Sequence, residues 1–295
     1  MKANIRTLPF FAVISVALFA GAAQAEPVAI VADAATTADS DVAPTPEWAP
    51  LDIANFGEEL GARWIPVPNG ESGAPRQGWL ATADGFFTRE AHVAYDYTDA
   101  QGLDAHNALA RFNYPLSRRF WAGVELPFYQ KRGTADGIGD VTLATRVMLA
   151  ETRNVSINAG VAWRLPTGRT ALGNNQFAAQ PQVNLFTDVG HGFSLRGAVG
   201  YEFAGSSRGS DAFVLNGAIG QTISSHSKAP FGDFTWYAAL NWRAPTNGSD
   251  FVSVTPGVRT HLGGNLFLLT GVELPVTNTS QSFKKRFIAQ FVQGF

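Results

Sequence analysis

Residues 120–128 read Phe120-Trp121-Ala122-Gly123-Val124-Glu125-Leu126-Pro127-Phe128. Taken alternately, Phe120, Ala122, Val124, Leu126 and Phe128 fall on one side, and Trp121, Gly123, Glu125 and Pro127 on the other. Side chains of a β-strand point to opposite faces in turn, so this pattern describes a strand with one apolar face. Val141–Leu149 and Val155–Trp163 repeat it. The middle of the first stretch returns as Gly271-Val272-Glu273-Leu274-Pro275, 148 residues later. Twice, therefore, a glutamate sits inside an apolar strand that runs into proline.

Working outward from these stretches, the alternation with turn residues between runs predicts twelve strands, with ten or fourteen as fallbacks. They cover about 86–98, 105–115, 119–129, 138–150, 154–165, 176–187, 192–203, 211–223, 232–243, 250–260, 265–275 and 285–295. The spacing leaves no room for helices between strands, so the connections are hairpins and the sheet is antiparallel. Two all-β architectures satisfy this. A soluble sandwich buries its apolar face, whereas a membrane barrel turns it outward into lipid. Phe120 and Phe128 are eight residues apart on the apolar side, as are Phe193 and Tyr201, and Phe234 and Trp242. Eight residues span ~26 Å along a strand, or ~20 Å of height at the usual barrel tilt, which matches two aromatic girdles at lipid interfaces. The reading is a transmembrane, up-and-down antiparallel β-barrel of the outer-membrane type, with Trp163 and Trp242 at the outer interface. Phe287, Ala289, Phe291 and Phe295 alternate to the last residue. Such a terminal aromatic strand resembles the signal read by the outer-membrane barrel assembly machinery, which makes that machinery an expected partner through Phe295.

Composition agrees with export. Residues 1–25 read as a signal peptide: Lys2 and Arg6, an apolar stretch from Phe10 to Ala20, then Ala23-Gln24-Ala25. Losing Lys2 and Arg6 takes the net charge from −2 to −4, which gives no reason to expect nucleic acid as a partner. There is no cysteine, which excludes disulfides and thiolate metal sites. Residues 26–85 are expected to form a periplasmic linker. Ile53, Phe56, Leu60 and Trp64 suit a short helix over 51–64, which is compatible with plugging the barrel or resting in the periplasm. The barrel itself is 86–295. An even strand count puts both termini on one side, the periplasm of a Gram-negative cell.

The glutamates then have a place. Val and Leu of each GVELP face lipid, so Glu125 and Glu273 face a wet lumen, where charge is tolerated. Proline follows where the ladder is expected to end and a missing N–H costs little. The same parity sends Glu90, His92, Asp96, Arg111, Asp140, Arg146, Arg164, Arg196, Glu202, Arg243, Arg259 and Arg286 inward. A turn around Thr152 predicts Leu149 opposite Val155, and hence Asp140 opposite Arg164. Interior charges either knit the barrel together or set selectivity. The selectivity candidates are Glu90, His92, Arg111, Glu125, Asp140, Arg146, Arg164, Arg243, Arg259 and Glu273.

Gly137-Ile138-Gly139-Asp140 opening an alternating strand, followed by Leu165-Pro166-Thr167-Gly168, resembles the outer-membrane family named after the meta-pathway of phenol degradation. The match is clearest over 86–170. The resemblance implies a transporter-like barrel for small organic molecules, aromatic or hydrophobic ones among them, embedded in outer-membrane lipid. Two alternatives stand beside it, a non-conducting structural or interaction barrel and an outer-membrane lipid hydrolase. For the hydrolase, Gly205-Ser206-Ser207-Arg208-Gly209 fits G-x-S-x-G, but a hairpin loop without a following helix lacks the strand-to-helix elbow that motif needs. His191, His226 and His261 are expected in turns, and no histidine pair has metal-ligand spacing. Hence no catalytic residue, metal or cofactor is assigned.

Overall fold

The computed structural model describes residues 48–57, 59–70, 73–100, 103–172, 175–205, 209–277 and 283–295. They form a closed antiparallel barrel. Its strands are β1 (Glu90–Ala100), β2 (Ala105–Pro115), β3 (Phe120–Arg132), β4 (Ala135–Gly137), β5 (Thr142–Glu151), β6 (Val155–Arg164), β7 (Ala178–Gly190), β8 (Phe193–Ala204), β9 (Ala212–Thr222), β10 (Gly232–Pro245), β11 (Phe251–Gly263), β12 (Leu266–Pro275) and β13 (Phe283–Gly294). Consecutive strands pair, and β1 closes on β13. The short β4 pairs only with the end of β3, and β5 continues where it leaves off. Counting β4 and β5 as one interrupted strand gives the twelve expected. Among the described residues the one helical turn is Thr170–Leu172.

The end of the barrel where β1 begins and β13 finishes is called the terminal end below, and the other the far end. The wall is apolar outside, with Val93, Phe112, Phe128, Leu185, Leu240 and Phe291 all exposed. A soluble sheet would bury these side chains; a lipid-facing one keeps them out.

Pro275 and Pro245 end their strands, as the loss of an N–H predicts. Pro127 does not: β3 runs on to Arg132. Phe120–Glu125 of β3 pair with β5, and Gln130–Arg132 pair with β4. Pro127 lies in the gap between the two partners, and the register to β2 also shifts there. A residue without an N–H is tolerated at that break in the ladder.

The β5–β6 register corrects the expected Asp140–Arg164 pair. Thr142 faces Arg164, two residues from the predicted match. The turn closes with Glu151 opposite Ser156, and a bulge at Met148–Ala150 shifts the ladder once more. Together these displacements preserve parity, so Arg146 and Arg164 still point inward although their partners differ.

Of the two placements open to the segment before β1, the lumen takes its second part. Residues 51–62 form turns, with no helix among the described positions. Leu51 bridges to Glu151, and Arg118 and Arg119 in the β2–β3 turn hold this strap through Glu59, at 3.9 and 2.9 Å. Arg119 also donates to the carbonyl of Asp52 at 2.6 Å. Further along, Arg76 donates to the carbonyls of Pro68, Thr152 and Arg153. Burial draws its guanidinium down to about 10, against the opposing pull of Glu151 and Asp188, so it stays charged at neutral pH. Residues 78–87 then enter the barrel. Trp79 and Leu80 pack with Tyr237, Phe267, Leu269 and Val292 in an apolar core inside the wall. This part of the interior is therefore dry and filled, where parity alone leads one to expect a wet lumen.

Candidate functional site

The inserted segment forms a loop whose tip is Trp79–Asp84, and each wall strand it passes contributes a grip. The Trp79 ring stacks on Tyr237 at 5.0 Å, and the Arg196 guanidinium lies 3.7 Å from the Trp79 ring centre. Desolvated contacts of the second kind stabilise by about 2 kcal/mol. Leu80 N–H donates to Tyr237 Oη at 3.1 Å. Asn216 donates to the carbonyl of Ala81 at 2.6 Å and accepts from Ala83 N–H at 3.1 Å. Ala81 takes φ 55°, which turns the chain back toward the wall. Asp84 then meets Arg196, carboxylate to guanidinium, at 2.7 Å. Its carbonyl accepts from Arg146 at 3.0 Å and Asn158 at 3.1 Å. Gly85 passes so close to β7 that a Cβ there would stand 2.3 Å from Phe186 N. No side chain fits, which explains a glycine at that contact.

Above the tip lies a cavity of about 520 Å³ opening toward the far end. Its floor is Trp79–Ala83. Paired charges of the far half stand in three groups. Arg111 donates through Nε to Glu125 at 2.9 Å. Arg243 and Arg164 share Glu202 at 2.8 and 3.7 Å. Arg286 meets Glu273 at 2.9 Å and Asp96 at 3.8 Å, and Ser253 donates to Glu273 at 2.7 Å. Across the three groups four arginines stand against four carboxylates. Along β7 an amide chain runs down to the tip. Gln180 donates to Gln182 at 2.8 Å, Gln182 to Asn184 at 3.0 Å, Asn184 to Asn158 at 2.7 Å, and Asn158 to Asp84 as above.

The structure thus sorts the expected lumen residues. Arg111, Arg243 and Glu273 line the upper cavity. Glu125 and Arg146 line a second, smaller one beside the tip. Arg164 joins the far-half charges through Glu202. Glu90, His92 and Arg259 sit below the tip. His92 lies between Asn113 at 3.2 Å and Gln290 at 2.9 Å, with Glu90 at 3.3 Å. Arg259 is fully buried and donates to the carbonyl of Gly78 at 2.9 Å. Asp140 is elsewhere again. It accepts from the N–H groups of Gly168, Asn175 and Gln176 at 2.7, 2.9 and 3.2 Å in the far-end loop after β6. Leu165 N–H also donates to Val141 O at 2.8 Å, and Arg169 N–H to Ile138 O at 3.0 Å. The G-x-G-D and LPTG stretches are therefore one interlocked unit. His261 falls within β11 and not in a turn, while Ser207 lies outside the described residues.

Sequence reasoning missed the floor and the amides. The amides were open to it, because Asn158, Gln180, Gln182, Asn184 and Asn216 all have inward parity. The floor was not, since residues 74–85 show no period.

The pattern of the family described as "Putative MetA-pathway of phenol degradation" matches residues 68–289. A comparison with curated protein sequences finds no match. Among solved structures, an outer membrane channel from Pseudomonas putida F1 is similar, with TM-score 0.54 and 13% identity over 74% of this chain and 99% of that one. The KdgM porin is similar at TM-score 0.51 and 13% identity, over 70% of this chain and 99% of its own. The NanC porin matches at TM-score 0.51 and 11% identity, over 70% and 98%. These likenesses are of fold, that of outer-membrane porins and channels. The chain belongs to the phenol-degradation family whose pattern spans most of its barrel.

Proposed function

We propose that this barrel is an outer-membrane channel for small organic molecules, with its far end outside the cell and both termini in the periplasm. The observation that carries the reading is the cavity of about 520 Å³ inside a closed wall, lined by charge pairs and amides and floored by an inserted loop. A barrel whose only task is structural gains nothing from hollowing its interior, because filled interiors pack more favourably. Solutes enter from the far end, meet Arg111, Arg243 and Glu273, and pass the tip beside Glu125 and Arg146. Arg164 acts through Glu202. Glu90, His92 and Arg259 hold the lower interior together, and Asp140 organises the rim. The apolar outer face contacts outer-membrane lipid, and Phe295 serves the assembly machinery.

Liposome swelling with solutes graded by size and charge tests this reading. Small polar and aromatic molecules should enter faster than large sugars. Glu125→Gln and Arg243→Gln should each change the relative rates of charged solutes. Entry no faster than into protein-free liposomes would replace the channel with the non-conducting barrel.

A further inference from the structure

The smaller cavity beside the tip has a charge that its neighbours leave uncompensated. It measures about 240 Å³ and shares Thr82, Ala83, Arg111 and Gln182 with the upper cavity, so it continues the proposed solute path beside the tip. Four charged side chains line it: Arg111, Arg146, Asp84 and Glu125. Arg111 and Glu125 neutralise each other at 2.9 Å. Asp84 gives its carboxylate to Arg196 at 2.7 Å, and Arg196 stands behind the chamber wall. That leaves Arg146. Its Nη1 donates to the carbonyl of Asp84 at 3.0 Å, and its guanidinium lies 4.6 Å from the Trp121 ring centre. Among the described residues no carboxylate lies within ion-pair distance of it. A guanidinium carries five N–H donors in a planar fork suited to a carboxylate. One of those donors is committed to the Asp84 carbonyl. The small residues Gly123, Ala144 and Ala162 line the cavity together with the Trp121 ring.

We infer that this chamber binds a small organic monoanion, with its carboxylate on Arg146 and its apolar body against Gly123, Ala144 and Ala162. The inference rests on the channel reading and deepens it, because the chamber joins the proposed solute path. Size sets the class. A cavity of about 150 Å³ holds a benzene ring, so the chamber takes one ring and a carboxylate but no second ring. Charge sets the sign. A dianion would bring a second negative charge with no unpaired cation to meet it, while a neutral molecule would leave Arg146 without its counterion.

The probe is benzoate, with benzyl alcohol as its neutral counterpart. Saturable binding to the full-length barrel in nanodiscs is measured by equilibrium dialysis against protein-free nanodiscs, with folding checked by heat-modifiable gel migration. Wild type should bind benzoate saturably and benzyl alcohol about tenfold or more weakly, a difference of roughly 1.4 kcal/mol. Arg146→Gln should weaken benzoate about tenfold. Arg146→Lys, which keeps the charge, should restore most of that loss. Ala162→Leu, which fills the chamber, should abolish binding with Arg146 intact. Where Arg146→Gln fails to fold, the two wild-type ligands and Ala162→Leu decide the matter. Equal binding of benzoate and benzyl alcohol, no saturable binding, or benzoate affinity unmoved by Arg146→Gln or by Ala162→Leu overturns the inference. The swelling assay separates the two readings. Neutral solute entry without benzoate binding removes the chamber and keeps the channel. Benzoate binding without any solute entry keeps the chamber as a binding site and removes the channel.

Discussion

Asp140 shows how much one carboxylate can organise. It is almost completely buried and accepts three backbone N–H bonds from the loop after β6. Those N–H groups have no ladder partner, and hydrogen bonds to a charged acceptor contribute about 1.5–3 kcal/mol. Asp140→Asn keeps the size but turns one acceptor oxygen into a donor NH₂. The expected outcome is a loss of about 2 kcal/mol, seen as a lower urea midpoint, together with faster proteolytic cutting between Leu165 and Phe177. An unchanged midpoint and cutting rate would mean that the loop holds itself. Parity placed Asp140 on the inner side, and there the sequence reading stopped. Side-chain direction follows from the period of two, but a partner across a loop depends on loop conformation, which no period encodes.

Strand pairing repeats that division between what alternation fixes and what turns decide. Alternation located twelve strands and the face of nearly every side chain, because burying or exposing each residue differs by kilocalories at every second position. The β5–β6 match escaped it. The turn sets Glu151 opposite Ser156, an odd and an even position, and only the bulge at Met148–Ala150 restores even-to-even pairing by Thr142 and Arg164. Leu149 is the extra residue. Deleting it forces a choice: either the buried Glu151 and Ser156 turn outward, or the strand beyond flips and sends Arg146 into lipid. An arginine on the lipid face costs about 2–4 kcal/mol near mid-bilayer. The deletion should therefore reduce unfolding free energy by about 2 kcal/mol or more, while Leu149→Ala, which keeps the residue count, should cost less. Equal effects of the two changes would show that the turn absorbs the register and that the bulge sets nothing.

Across the whole molecule, what decides passage is how a lumen of intermediate width is filled. Eight strands leave room only for side chains and sixteen leave a channel, so twelve need an insert to narrow them or else stand open. Residues 78–87 supply that insert. They carry no repeat, since their conformation is fitted to wall groups on β5 to β11 that are distant in sequence: Arg146, Asn158, Phe186, Arg196, Asn216, Tyr237 and Arg259. Trp79-Leu80 stands before the strand expected from residue 86 and Phe86-Phe87 at its start, but the surface that receives them has no sequence signal. Replacing Trp79–Asp84 with glycine and serine removes the Trp79 ring, the Leu80 side chain and the Asp84–Arg196 pair while the wall stays intact. Single-channel conductance should then rise several-fold, since conduction through a pore grows with its narrowest cross-section. Ion preference should turn toward anions, because Arg196 loses its carboxylate. The three far-half charge groups, four arginines against four carboxylates, give no counter-bias. A conductance equal to wild type would mean that the constriction lies elsewhere. A larger but unselective pore would mean that Arg196 turns away from the ion path once the tip is gone.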